Sequence, residues 1–187
     1  MALTTFRGTN RAFGMMTVAA SLSIGVLFGT TTAQAQTIPT AVTKPFALKV
    51  GAYNPSEDTA RRASSDVLFS IEAEYTIQNL VELNSSYSVF SVGYINEGDL
   101  RIIPITIGQN WTDGKQNYFY GGGIGLYNVK MDLAGFTSNQ DKYIFGFYGT
   151  VGLNLTKQVF AELKYHYPYK YDDQFVGGFQ LMAGYRF

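Results

Sequence analysis

The residues able to do chemistry in this chain are few, and their spacing argues against most of it. There is one histidine, His166, and no cysteine. A serine hydrolase needs a base beside its nucleophile. His166 is followed by Tyr167-Pro168, and no nucleophile can be assigned to it. One His without Cys also makes a poor transition-metal site. Glu72 and Glu74 share a parity and therefore one face of an extended strand. Paired carboxylates can cleave a glycosidic bond when they flank a cleft. Asp172-Asp173 could hold a divalent cation weakly, although a solvated acidic loop is the plainer reading. Gly121-Gly122-Gly123 and Gly125 resemble a phosphate loop only superficially, because no Lys-Ser/Thr follows them. What the acidic pair can do depends on the elements that carry it.

Those elements read as strands. Val67, Phe69, Ile71, Ala73, Tyr75 and Ile77 alternate with Leu68, Ser70, Glu72, Glu74 and Thr76. Seven further stretches have strand character, near 46–53, 86–95, 100–110, 117–129, 142–155, 158–167 and 175–187. In the third strand Phe90, Val92 and Tyr94 are expected outward. The 100–110 segment is apolar on both faces, so its facing is open, and Pro104 within it suggests a bulge. The glycines of the fifth strand would leave room for larger neighbours inside a narrow barrel. Polar connections at 54–66, 130–141 and 168–174 alternate with shorter ones at 111–116 and 156–157. The connection at 78–85 is intermediate, and 96–99 is short for its place.

Charges keep to one parity. Lys49, Glu72, Glu74, Glu162, Lys164, His166 and Arg186 all oppose the aromatic or apolar faces of their strands. At the end of the chain Phe179, Leu181, Ala183, Tyr185 and Phe187 share a face, with Gln180, Met182, Gly184 and Arg186 on the other. A soluble barrel with this facing would expose a large apolar belt. A membrane barrel needs one, with aromatic girdles at both interfaces. Tyr118, Tyr120, Tyr143, Phe145, Phe147, Tyr165, Tyr167, Tyr169 and Tyr171 suit such girdles better than a carbohydrate-binding or lipid-binding surface. Aromatic residues are 16% of the chain and charged residues 15%, against about 25% charged in an average soluble domain. Net charge is zero, so no nucleic-acid footprint is present.

The first residues have the layout of a secretory signal. Arg7 and Arg11 precede an apolar stretch from Met15 to Phe28, and Ala33-Gln34-Ala35 offers an A-x-A site. Cleavage is expected between Ala35 and Gln36, giving a signal peptide over 1–35 and one barrel domain over 36–187. The mature chain loses two basic residues and no acidic one, for a net charge near −2. The apolar run is short for about 30 Å of hydrocarbon. With no later apolar helix, any membrane crossing must be made by strands.

Signal, eight alternating strands and a terminal aromatic preceded by alternate hydrophobics together resemble the small outer-membrane β-barrels of the OmpA, OmpX and OmpW type. In that group the last strand carries an assembly signal, which Phe179, Leu181, Ala183, Tyr185 and Phe187 match in pattern. The resemblance implies an all-β, eight-stranded, antiparallel up-and-down transmembrane barrel in the outer membrane of a Gram-negative-type bacterium. It implies Sec-type export, handling by periplasmic chaperones, insertion by the outer-membrane assembly machinery, and contact with outer-membrane lipid and lipopolysaccharide as a monomer. Some barrels of this size are lipid A deacylases with a His and a Ser two residues apart on one strand. His166 has no Ser at that offset.

Eight strands leave an interior just wide enough for side chains, with no room for a sugar chain before Glu72 and Glu74. The inward charges are expected to pair as a plug, since a buried unpaired charge is costly. The reading is a non-enzymatic barrel without cofactor, with a structural or surface-interaction role. The alternatives are a narrow channel for a small or hydrophobic solute and a soluble lipocalin-like carrier.

Overall fold

The computed structural model describes residues 43–77, 85–113, 115–131, 141–170 and 174–187. The signal segment, its cleavage pair Ala35 and Gln36, Tyr171 and Asp172-Asp173 lie outside the described residues. Eight antiparallel strands pair in chain order and close into a barrel: β1 Phe46–Pro55, β2 Leu68–Ile77, β3 Ser86–Glu97, β4 Leu100–Thr112, β5 Tyr118–Met131, β6 Lys142–Asn154, β7 Val159–Pro168 and β8 Gly178–Arg186. Closure comes from β1 against β8, for example Leu48 opposite Tyr185 and Ala52 opposite Leu181. No free sheet edge remains among these strands.

Period-two alternation sets the facing. β2 and β8 alternate buried and exposed along almost their whole length. The exposed partners are the apolar ones: Phe69, Ile71 and Tyr75 on β2, and Phe179, Leu181 and Tyr185 on β8. Phe90, Val92 and Tyr94 of β3 also face out. Polar and charged side chains take the inside, which is the inverse of a soluble barrel. The strand ends divide into two rims. The long-loop rim carries the connections 56–67, 98–99, 132–141 and 169–177, and the short-turn rim carries 78–85, 113–117 and 155–158. The 98–99 connection is an exception on its rim, a tight link with Gly98 at φ 57°.

Three expectations need correction. Pro104 causes no bulge. β4 pairs Ile105 with Val92 and Ile102 with Ile95, the same register on both sides, while the pairs at Gly93 and Tyr94 are missing. Proline has no N–H to donate, and its ring is accommodated by Gly93. A Cβ at Gly93 would stand 2.8 Å from Pro104 Cγ. The first connection is not simply a polar loop, since it contains a short helix, α1 Asp58–Ala63. β8 starts at Gly178, three residues later than its apolar pattern suggests, because Phe175, Val176 and Gly177 belong to the connection before it.

Small and large inward residues interlock across neighbouring strands. The Tyr148 ring lies over Gly108 and Gly123, Phe119 covers Gly152, and Phe160 covers Gly184. A side chain at any of these glycines would meet an aromatic ring. This packing brings strands β4–β8 together around a filled interior.

Candidate functional site in the barrel lumen

The lumen is layered. Nearest the short-turn rim, Phe119 and Phe160 meet edge to face with centroids 5.9 Å apart, beside Ala47. The Arg186 guanidinium stands 4.0 Å from the Phe160 ring centroid and 5.7 Å from that of Phe119. It also donates to Asn154 Oδ1 at 2.8 Å. A cation over aromatic faces is stabilised by their quadrupole.

The next layer is an ion network. Register places Lys49 opposite Glu72, and Glu74 one step nearer the short-turn rim. Lys49 Nζ lies 2.9 Å from Glu72 Oε1, 2.5 Å from Glu74 Oε2 and 2.6 Å from Glu162 Oε2. Lys164 Nζ lies 2.6 Å from Glu72 Oε1 and 3.7 Å from Glu162 Oε1. Thr150 donates to Glu162 Oε1 at 2.7 Å. Lys164 also stands over the Tyr148 ring, 5.0 Å from its centroid. β8 separates β1 from β7, and opposite Lys49 it presents only Gly184. Lys49 therefore reaches across to Glu162. Among the buried described residues, three carboxylates share two lysines. Mutual pairing of this kind makes buried charge tolerable.

His166 stands apart from that network. Its Nε2 meets Gln180 Oε1 at 2.7 Å and its Nδ1 meets the Tyr127 hydroxyl at 3.0 Å. The Tyr127 hydroxyl also donates to Phe147 O at 3.2 Å. Neither partner is a nucleophile of the Ser, Thr or Cys kind. The seven inward residues thus fall into three groups: Lys49, Glu72, Glu74, Glu162 and Lys164 together, His166 with Tyr127 and Gln180, and Arg186 with Asn154 and two rings.

Toward the long-loop rim the interior turns apolar. Leu68, Ile95, Leu100, Ile102, Val129 and Met131 point inward from strand ends and pack with Ala60 of α1 and Val176 of the last connection. The last connection is tied to the end of β1 and to Glu57, the residue before α1, at this rim. Tyr53 donates to Val176 O at 2.7 Å, Ser56 N to Gly177 O at 2.9 Å, and Phe175 N to Glu57 Oε2 at 3.0 Å. Sequence parity alone does not reveal this cap. Its signal is the apolar character of both faces of β4, where one face meets the outside and the other the cap.

On the outer wall Phe179, Leu181, Tyr185 and Phe187 are exposed, with Ala183 between them. Phe46 packs on Tyr75, and Tyr185 on Phe187, at the short-turn rim. Phe145, Phe147 and Tyr169 cluster at the other. No protein-family model matches the chain, and no curated protein sequence matches it. Solved structures do. The crystal structure of Ail, the attachment invasion locus protein of Yersinia pestis, aligns with a TM-score of 0.54 at 18% identity, over 76% of this chain and 97% of that one. Ail in phospholipid bilayer nanodiscs aligns at 0.52 and 18% identity, over 77% and 99%. Neisserial surface protein A aligns at 0.51 and 16% identity, over 75% and 92%. The fold is that of the small eight-stranded outer-membrane barrels. At these identities the likeness is one of fold; in outer-membrane barrels of that fold an apolar outer belt is the surface that meets lipid.

Proposed function

We propose that this chain is an outer-membrane barrel with a structural or surface-interaction role, and neither an enzyme nor an open pore. The observation that carries this reading is the filled lumen: rings and Arg186 at one end, an ion network in the middle, and an apolar cluster that takes in Ala60 of α1 and Val176 at the other. Such an interior supports a rigid scaffold that displays its long connections. It offers no cleft before Glu72 and Glu74, and no nucleophile beside His166. A soluble carrier of the lipocalin kind is disfavoured by the facing, since charged side chains line the inside. Export through the Sec route, removal of residues 1–35, passage with periplasmic chaperones and insertion by the assembly machinery belong to the same reading. In it the Phe179–Phe187 face acts as the assembly signal, and lipopolysaccharide and phospholipid surround a monomer.

Fractionation tests the location. The mature protein should sediment with outer membranes and require detergent for release. Recovery in the soluble periplasm would overturn the reading.

One observation favours a narrow water or ion path as the second reading. Ser70 Oγ, Glu72 Oε2 and Gln180 Nε2 are buried without a protein partner among the described residues, the condition in which buried polar groups take ordered water.

A further inference from the structure

The lipid-facing wall is not uniform. Around most of the short-turn rim large side chains fill the outer surface, as where Phe46 meets Tyr75 and Tyr185 meets Phe187. Across β5–β8 the filling fails. Ala161 faces outward between Leu153 on one neighbouring strand and Ala183 on the other. The result is an apolar groove of about 420 Å³, walled by Tyr118 and Tyr120 on one side and Leu163 and Leu181 on the other, with Leu153 and Ala161 among its lining.

Cations border this groove. The turns 113–117 and 155–158 flank its short-turn end, beside Tyr118 and Leu153. The two turns are adjacent, because Asn154 donates to Asn117 O at 2.8 Å and to Gln116 O at 2.6 Å. Each carries one exposed lysine, Lys115 and Lys157. The acid of the same region, Asp113, is engaged within its own turn, accepting the Tyr118 N–H at 3.1 Å. Gln158 and the Tyr185 hydroxyl, joined at 2.7 Å, add a polar edge at the same rim.

We propose that the β5–β8 groove binds an anionic glycerophospholipid, with one acyl chain lying along Ala161 and the phosphate held at Lys115 and Lys157. The inference rests on the membrane-barrel reading and deepens it. An apolar slot of this kind holds hydrocarbon by area, and lysines at the edge of the hydrocarbon attract anionic headgroups.

Native mass spectrometry of the detergent-purified protein, with added phosphatidylglycerol or phosphatidylethanolamine of identical chains, tests it. One phosphatidylglycerol should be retained per barrel, with a preference of about thirtyfold over phosphatidylethanolamine, the worth of roughly two interfacial lysines. Ala161→Phe, which fills the groove, should abolish the retained lipid, with Ala161→Leu as the milder variant should the first fail to fold. Lys115→Gln with Lys157→Gln should keep the lipid and erase the headgroup preference. Ala73→Phe, on the outer face of β2 between Leu48 and Val92, should change neither. Absence of retained lipid, equal retention of the two lipids, or full retention by the groove-filling variant would each overturn the proposal. None of these results bears on fractionation, so failure of the site and failure of the outer-membrane reading are separable.

Discussion

The two ends of the lumen solve the same problem with opposite chemistry. Toward the short-turn rim, inside the Phe119–Phe160 layer, the interior is held by ions, and every carboxylate of the network has a lysine partner. Toward the long-loop rim it is filled by Leu68, Ile95, Leu100, Ile102, Val129 and Met131 under α1. The first solution is directional and fails abruptly when one member is removed, because the partners stay buried as unpaired charges. The second degrades in proportion to the volume removed. A barrel with both has an interior held by directional ion pairs in one half and by apolar packing in the other.

The largest effect should come from the hub of the ionic end. Lys49→Met leaves Glu72, Glu74 and Glu162 short of their shared cation and should cost about 3–5 kcal/mol, measured as a shift in reversible urea unfolding in detergent or lipid. Adding Glu74→Leu should recover part of that loss, since Lys49 is the only ion-pair partner found for Glu74 among the described residues. A double variant no better than the single one would mean that the network does not act as a unit.

Next comes the apolar end. Leu100 is fully buried, and Leu100→Ala should cost about 2–4 kcal/mol in the same assay. The outward Leu181, 61% exposed, is the comparison, and Leu181→Ala should cost clearly less. Equal losses at the two positions would show that the cap is not packed.

Arg186→Gln removes the cation from the Phe160 face and takes the guanidinium donor away from Asn154 Oδ1. The same unfolding assay should show a cost of about 1–2 kcal/mol. The smallest effect is expected outside the lumen. Arg101 and Asp141 pair at 2.7 Å, but their side chains are 31% and 49% exposed. Asp141→Asn should therefore change stability by at most about 1 kcal/mol and less in high salt.

The contrast also explains what was legible in the sequence. The ionic end could be read from parity: Glu72 and Glu74 against Ile71, Ala73 and Tyr75, or Glu162 and Lys164 against Leu163 and Tyr165. Lipid outside and charge inside give each strand a two-faced pattern that needs no knowledge of its neighbours. The apolar end could not be read that way. Leu100 and Ile102 face inward while Ile103 and Ile105 face outward, so the first half of β4 carries no polar inward residue to orient it. Partners across the lumen were also out of reach. Lys49 meets Glu162 across the intervening β8, and Arg186 meets rings rather than carboxylates. Pro104 is housed by Gly93 on the adjacent strand, a fact of pairing rather than of local sequence. Strand positions were close throughout, and α1 was hidden in a connection whose polarity read as loop.

The central claim is that this interior is closed. Planar-bilayer recording of the purified wild-type protein tests it most directly. The account predicts a baseline indistinguishable from protein-free lipid, with the ion network and the cap both intact. Discrete, reproducible conductance steps from the wild-type protein would contradict it and place the water path past Ser70, Glu72 and Gln180 at the centre of its function.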